Sequence, residues 1–333
     1  MSDDTRYAYA VARIRGMETR ILSRQQVERL LSEPAGGALR LLSDTAYQDA
    51  LSDVSRPEDI EAGLTRALVE TLTTVSSISP EPELIDLFRV RWDFRNLKSL
   101  LKAALLKVVT RETGVVEGVG TVDVQAMEKA VRDHDHTFLP DFVGEVARAA
   151  EDEYRDNGEL AGVDRVVDAA MWKHSIDTAR RHRNDFLVDY FRTEIDLGNV
   201  RMFARMKEAG RDRSEVAGAF VPGGTLDLSF FDSMLGEPMD AFARAMEYGP
   251  YGELAEVFRE WSADRSFALE LASDNLLLRR TEPAYTTAYG IEPLVRFILV
   301  RGLELKLIRA AVAAKLDGVG SSEIEARLRV LHV

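Results

Sequence analysis

One helical pattern occurs twice in this chain of 333 residues, and both copies carry an acid, an Asn and a base at the same spacing. The first copy reads WDFRNLKSLLKAAL and the second reads EIDLGNVRMFARMK. Asp93 and Asp196 align at an interval of 103 residues, and Asn96 and Asn199 follow three residues later. Internal similarity at a fixed interval constrains the fold strongly, because it requires related structural units.

A second landmark follows each copy at nearly the same interval. A GTVD turn begins at Gly120 and a GTLD turn begins at Gly224, 104 residues apart. A weaker third copy of the helix contains Glu304, a further 108 residues along. The first and last thirds also share a tetrapeptide, LSEP ending at Pro34 and LGEP ending at Pro238, each followed 13 residues later by a Tyr. The shared order of these landmarks predicts three related units.

The predicted units are residues 1–118, 119–223 and 224–333, each of ordinary domain size. Apolar residues recur three and four apart through most of the chain, without sustained alternation, so the fold is predicted to be all-α. The interval is too long for an ordinary solenoid, whose repeats span about 20 to 50 residues. Three large units favour a pseudo-threefold arrangement around an axis, with a curved row of three units as the alternative.

The repeated acid lies among apolar positions. On a helical wheel, Asp93 falls on the stripe formed by Leu97 and Leu101, with Asn96 at its edge. A buried carboxylate is costly unless it is paired, so we expect a partner, for which Arg13 and Arg15 are candidates. A structural role in helix packing is favoured over proton transfer, because catalytic carboxylates must converge on one substrate. The candidate structural polar residues are Asp93, Asn96, Asp196, Asn199 and Glu304.

A basic stripe runs along the opposite side of the first copy, although the chain as a whole has a formal charge of -13. A charge run of this kind is usually a solvated face. The alternative is a surface that docks an acidic protein partner. The candidate partner-contact residues are Arg91, Arg95, Lys98, Lys102, Arg201, Arg205, Lys306 and Arg309.

Composition excludes several classes of protein. The negative charge argues against nucleic-acid binding, and the absence of Cys excludes disulfides and thiolate metal sites. The start, MSDDTRYAYAVARIRG, lacks the pattern of a signal peptide, so we expect no export. Charges interrupt the most apolar stretch, IEPLVRFILVRGLELKLIRAAVAAKL, and no membrane span is expected.

Catalytic motifs are equally scarce. The chain has no P-loop, no dinucleotide-binding glycine pattern and no serine elbow. His134 and His136, in RDHDH, could bind a metal with a neighbouring Asp, but alternate residues of a polar segment are more typical of a surface loop. The sequence therefore predicts a non-catalytic protein with no cofactor and no metal site.

Taken together, these segments resemble the C subunit of the V/A-type rotary ATPases and ATP synthases, a relative of the d subunit of the eukaryotic V-ATPase. The resemblance covers nearly the whole chain. It is carried by YAYAVARIRGMETRILS, LLSDTAYQDAL, WDFRNLKSLLKA, GVDRVVDAAMW with EIDLGNVRMFAR, FVPGGTLD, GIEPLVRFILVRGLELKLIRAAVAAKL and IEARLRVLHV. The third helix departs from the pattern with Leu307 in place of Asn, so no role of the Asn carries over to it.

The resemblance implies a funnel-shaped, all-helical protein of the central stalk, at the inner, cytoplasmic face of the membrane. Such a protein acts as a socket between the proteolipid ring and the central shaft of the D and F subunits, and it transmits torque without catalysing a reaction. A helical scaffold or adaptor of an unrelated soluble complex is the alternative, followed by an enzyme with an unrecognised helical site. The sequence does not distinguish a proton from a sodium rotor, or ATP synthesis from hydrolysis.

Overall fold

The fold is all-α, as predicted. A computed structural model describes residues 5–107, 114–262 and 266–318, and these residues contain fifteen α-helices and no strand. The C-terminal IEARLRVLHV segment lies outside the described residues. The described part of the chain contains no helix that is both long enough and apolar enough to cross a membrane.

The chain divides into two compact units. The first unit comprises Met1–Ile85 and Asp274–Val333, and the second comprises Asp86–Ser273. These divisions differ from the three predicted ranges, and the threefold division, like the funnel-shaped arrangement, remains a prediction.

Five α-helices lie wholly within the first unit, as far as it is described: α1 Ala8–Glu18, α2 Arg24–Ser32, α3 Ala35–Ser43, α4 Ile60–Ile78 and α15 Glu292–Leu316. Eight lie within the described part of the second unit: α6 Val124–Asp133, α7 Asp141–Asn157, α8 Leu160–Arg181, α9 Asp185–Glu208, α10 Arg213–Ala219, α11 Leu228–Met234, α12 Met239–Glu247 and α13 Ala255–Arg259. Two helices continue from one unit into the other along the chain: α5 Pro82–Leu106 and α14 Ser266–Arg280.

Local signals explain several helix ends. Ser23 caps α2 in a capping box with Gln26, so two backbone N–H groups that lack helical partners are satisfied. Asp123, the acid of the GTVD turn, caps α6 by accepting a hydrogen bond from Ala126 N. At the other end of a helix, Gly158 ends α7 in the left-handed conformation, with φ of 71°.

Each of the three acid-bearing helices belongs to an apolar core. In the first unit, α15 contributes Ile308 to a cluster with residues of α2, α3 and α4. In the second unit, α5 contributes Leu97 to a cluster with residues of α6, α7 and α8. Phe203 of α9 lies 5.3 Å from Phe231 and 4.8 Å from Phe242, between ring centroids. Burying one such side chain stabilises the fold by about 1.5–3 kcal/mol, so apolar packing holds each acid-bearing helix in place.

Candidate functional site: three acid-centred joints

The repeated acids bind the repeated turns. We use the term joint for one acid of a long helix together with the donors that it binds. In the Asp196 joint, Thr225 N donates to Oδ1 and Oδ2 at 3.0 and 2.8 Å, and Leu226 N donates to Oδ1 at 3.0 Å. Thr225 Oγ1 donates to Oδ2 at 2.6 Å, and the buried Tyr251 hydroxyl donates to Oδ2 at 2.5 Å. The carboxylate thus fastens α9 to the GTLD turn and to Tyr251.

The Asp93 joint repeats this geometry. Thr121 N lies 2.9 Å from both carboxylate oxygens, Val122 N donates to Oδ1 at 2.9 Å, and Thr121 Oγ1 donates to Oδ2 at 2.6 Å. These contacts join α5 to the GTVD turn, and the structural role of this buried acid remains a prediction. The guanidinium partner expected from Arg13 or Arg15 was wrong, because donors of the GTVD turn occupy the carboxylate.

The two repeated Asn residues also bind the segments that precede the Gly-Thr turns. Asn96 Nδ2 donates to Val116 O at 2.8 Å, and Val116 N donates to Asn96 Oδ1 at 3.0 Å. Asn199 makes the same reciprocal pair with Val221, also at 2.8 and 3.0 Å. An amide that pairs with both backbone groups of one residue fixes the position of the segment before the turn.

The third joint uses a longer acid and a different part of the chain. Glu304 of α15 accepts from Leu22 N at 2.5 Å and from the Tyr47 hydroxyl at 2.6 Å. Arg301 Nη1 also donates to Glu304, at 2.5 Å. Leu22 and Tyr47 stand 204 residues before the Leu and Tyr that bind Asp196. Each joint therefore links the end of one predicted repeat to the start of the next, and the third links the last repeat to the first.

Two glycines are required by the joints. A Cβ on Gly120 would lie 2.0 Å from Asp93 Oδ1, and a Cβ on Gly224 would lie 2.0 Å from Asp196 Oδ1. No side chain fits at these positions unless the carboxylate moves. The Gly of each Gly-Thr turn is therefore explained by close approach to the acid.

A lysine that sequence reasoning missed follows two of the acids at the same interval and binds the end of another helix. Lys207 stands eleven residues after Asp196, and its Nζ donates to Met234 O and Leu235 O, both at 2.7 Å, at the end of α11. Lys315 stands eleven residues after Glu304, and it donates to Leu31 O at 2.7 Å and to Glu33 O at the end of α2. Cations favour helix C-termini. The shared interval of eleven residues between acid and lysine is the sequence signal that could have identified both lysines.

The buried joints have unusual electrostatics. Burial raises the pKa of Asp93 above its ordinary value, while the hydrogen bonds from Thr121 and Val122 limit the rise. In the third joint, burial and the neighbouring Glu304 raise the pKa of Tyr47 far above its ordinary value. The phenol therefore remains protonated and donates to the acid.

Several of the candidate partner-contact bases form ion pairs within the chain. Lys98 Nζ lies 2.7 Å from Asp168 Oδ1, and Lys102 Nζ lies 2.6 Å from Asp164 Oδ2, so both fasten α5 to α8. Lys306 and Arg309 pair with Asp274 and Glu61 at 3.1 and 2.8 Å. Their contact with a partner remains a prediction.

Arg91 contributes to the core of the second unit. Its Nη1 donates to Glu194 Oε1 at 2.9 Å, and its side chain is 24% exposed. Four aromatic rings have their centroids 5.0–5.9 Å from the guanidinium carbon: Phe88, Trp172, Tyr190 and Phe191. These cation–π contacts stabilise a partly buried charge.

The remaining three bases have uncompensated charge. Among the described residues, Arg95, Arg201 and Arg205 form no ion pair, and Arg95 and Arg205 are exposed. Arg95 lies over its neighbour Trp92, with 4.9 Å between the guanidinium carbon and the ring centroid. These arginines are the candidates whose charge is available to a partner.

One of the two histidines of RDHDH differs from the expected surface loop, whereas His134 is exposed in a turn. His136 is buried, and both His134 and His136 lie 3.1 Å from a carboxylate oxygen of Glu151. The surface-loop interpretation of His136 was therefore wrong. Within the described ranges, no group of three or more His, Asp or Glu side chains is arranged to hold a metal ion.

Comparison with known proteins identifies the family of the chain. A profile of the ATP synthase (C/AC39) subunit family matches residues 10–327. The chain is 26% identical to the A-type ATP synthase C subunit of Methanothermobacter thermautotrophicus, over 93% of this chain and 84% of that protein. It is 28% identical to the A-type ATP synthase C subunit of Thermococcus onnurineus, over 96% and 89%. It is 23% identical to the V-type sodium ATPase C subunit of Enterococcus hirae, over 96% and 97%. The chain therefore belongs to the ATP synthase (C/AC39) subunit family, as a non-catalytic subunit of an A/V-type rotary ATPase.

Proposed function

We propose that this protein is the socket of the central stalk. It joins the shaft formed by the D and F subunits to the membrane proteolipid ring, at the inner face of the membrane. Its role is mechanical, because it transmits torque between ATP chemistry and ion movement.

The repeated joints are the observation that supports this proposal most directly. In each, a buried carboxylate on a long helix binds a backbone N–H of a distant turn, and charge-assisted bonds of this kind are stronger than neutral ones. A part that carries torque needs helices whose ends do not slip relative to each other. Three joints built on the same plan, each next to an apolar core, meet that requirement.

The arginines without ion pairs supply a surface for docking. Arg95, Arg201 and Arg205 present positive charge in a chain of net charge -13, so an acidic partner surface is the complement. Opposite charges across an interface speed association and disfavour wrong partners, and reversing three of them would place like charges opposite each other.

The first experiment is co-purification from detergent-solubilised membranes through a tag on this protein. A socket brings the proteolipid ring and the shaft subunits in fixed stoichiometry. Recovery of the tagged protein with soluble proteins alone would contradict the proposal and would favour the adaptor alternative.

The second experiment reverses charge in the triple variant Arg95→Glu, Arg201→Glu, Arg205→Glu. We expect weaker assembly at physiological salt and an unchanged melting temperature of the isolated protein. The matched control is the triple variant Arg13→Glu, Arg20→Glu, Arg40→Glu, which reverses three exposed arginines that form no ion pair within the described chain. Assembly of the triple variant at the level of this control rules out the docking surface. Lys98 and Lys102 are left intact because they hold α5 to α8.

A further inference from the structure

The first unit contains a cavity of about 350 Å³ between its N-terminal and C-terminal segments. Its walls are mostly aliphatic and include Leu22, Val27, Leu278, Val300, Leu303 and Leu307. Arg24 also lines the cavity, but its Nε is paired with Glu28 Oε1 at 2.9 Å. At about 30 Å³ per water-sized group, the volume accommodates roughly a dozen heavy atoms. Small-molecule sites of proteins are concave and apolar in this way, with a few convergent polar groups.

A buried arginine lines this cavity. Arg296 of α15 is 1% exposed, and its partners are neutral oxygens: Nη1 donates to Leu278 O and Thr281 Oγ1, both at 2.9 Å, and Nη2 donates to the Tyr285 hydroxyl. Its Nε is buried and has no hydrogen-bond partner within the described chain. A buried charge without a counter-charge is costly, and a bound anion would remove that cost.

The repeated architecture does not require this arginine. Arg296 stands eight residues before Glu304, and the residues eight before Asp93 and Asp196 are Ile85 and Val188. Both are buried aliphatic side chains. The third copy thus has a cation at a position where the other two copies are apolar. Its bonds to the end of α14 involve only one of the three guanidinium nitrogens, so capping that helix does not account for the whole group.

The nearby acid does not neutralise Arg296. Glu304 also lines the cavity, but its two oxygens accept hydrogen bonds from Leu22 N, Tyr47 and Arg301. The pairing of Arg301 with Glu304 leaves the charge of Arg296 uncompensated. Tyr285, which is 49% exposed, covers the guanidinium, with its ring centroid 3.8 Å from Cζ. A ligand would therefore reach the guanidinium when this side chain moves.

We propose that this cavity binds an aliphatic carboxylate, with the hydrocarbon against the leucine and valine wall and the carboxylate on Arg296. Guanidinium groups bind carboxylates through parallel hydrogen bonds, and Nε with no competing partner supplies one of the donors. Seven of the eleven lining residues are aliphatic, so the cavity favours an anion that carries a hydrocarbon chain over one that is hydrated on all sides.

Isothermal titration of the full-length protein with octanoate tests the proposal. Octanoate should bind saturably, and octanol, which has the same chain without the charge, should bind at least about tenfold more weakly. Acetate and inorganic phosphate should show no saturable binding. The proposal is overturned if octanoate does not bind, if octanol binds equally well, or if phosphate binds as tightly as octanoate.

Three variants locate the site. Arg296→Met should reduce octanoate affinity at least about tenfold and leave octanol affinity unchanged. Val300→Phe fills the cavity and retains Arg296, and it should abolish octanoate binding. This variant tests the site even if the protein does not fold without the arginine. Arg309→Met, an exposed arginine of the same helix, is the control. Binding that survives Val300→Phe, in a protein with a native circular dichroism spectrum, places octanoate elsewhere and overturns the assignment.

Discussion

Glu304 accepts a hydrogen bond from Leu22 N at 2.5 Å, between residues 282 positions apart in the chain. The last long helix is thus fastened to a segment near the start of the chain, in the way that α9 is fastened to the GTLD turn. No further copy follows the third helix. Its acid therefore binds the start of the first copy, as Asp196 binds the start of the third. Because the joints share one plan, substitutions at equivalent positions should change the free energy of unfolding in the same direction.

Replacing the acid of the Asp196 joint should destabilise the protein. In Asp196→Leu, the Thr225 and Leu226 N–H groups and the Tyr251 hydroxyl lose their acceptor, and we expect a loss of about 3–5 kcal/mol in the free energy of unfolding. Asp196→Asn should lose less, because the amide oxygen can still accept from both N–H groups. Urea unfolding measures both, with Asp189→Asn, an exposed acid of the same helix, as the control. Equal stability of wild type and Asp196→Leu would show that the joint contributes nothing.

The tyrosine of the joint should depend on the acid. Tyr251→Phe removes a hydrogen bond to a charged group, and we expect a loss of about 1.5–3 kcal/mol. In the Asp196→Asn background the same substitution should cost less, by more than about 0.5 kcal/mol, because the two residues are in contact. Thermal or urea unfolding of the four proteins gives the coupling energy. A coupling energy of zero contradicts a shared joint.

The glycines of the Gly-Thr turns should tolerate no side chain. Gly224→Ala places a Cβ 2.0 Å from Asp196 Oδ1, so we expect a loss of about 1–3 kcal/mol. Gly198→Ala is the matched control, because a Cβ there has no atom within 4 Å and the residue lies inside α9. The control should be unchanged or stabilised by up to about 1 kcal/mol. Melting temperatures compare the two variants, and similar values for both would contradict the close approach.

The contribution of Asp93 should depend on pH. Burial raises the pKa of Asp93 above its ordinary value of 3.8, so the folded chain keeps a proton there at pH values where the unfolded chain has lost it. The free energy of unfolding assignable to this group is therefore largest below the ordinary pKa and falls as the pH rises through the raised pKa.

Urea unfolding of wild type and Asp93→Asn, at intervals between about pH 4 and pH 7, measures this contribution, because the variant does not titrate at this position. The stability of wild type relative to the variant should decrease across that range. An increase with pH would mean that the pKa of Asp93 is lowered.

The sequence by itself determined the helical class, the three recurring helices and the burial of their acids. Periodicity and repetition are local properties, and they are readable without a structure. The Gly-Thr turn was visible in the same way, but only as a second landmark, with no indication that it binds Asp93 or Asp196.

Tertiary structure decided which groups meet. The acid of each joint finds its donor in a segment 28 or more residues away, and the pairing of Glu304 with Leu22 spans almost the whole chain. Charge patterns along a helix likewise did not reveal that Asp164 and Asp168 neutralise Lys102 and Lys98, or that Arg296 forms no ion pair within the described residues. These relationships depend on how helices pack across long intervals of sequence, and hydrogen bonds between distant segments leave no periodic signal in the chain.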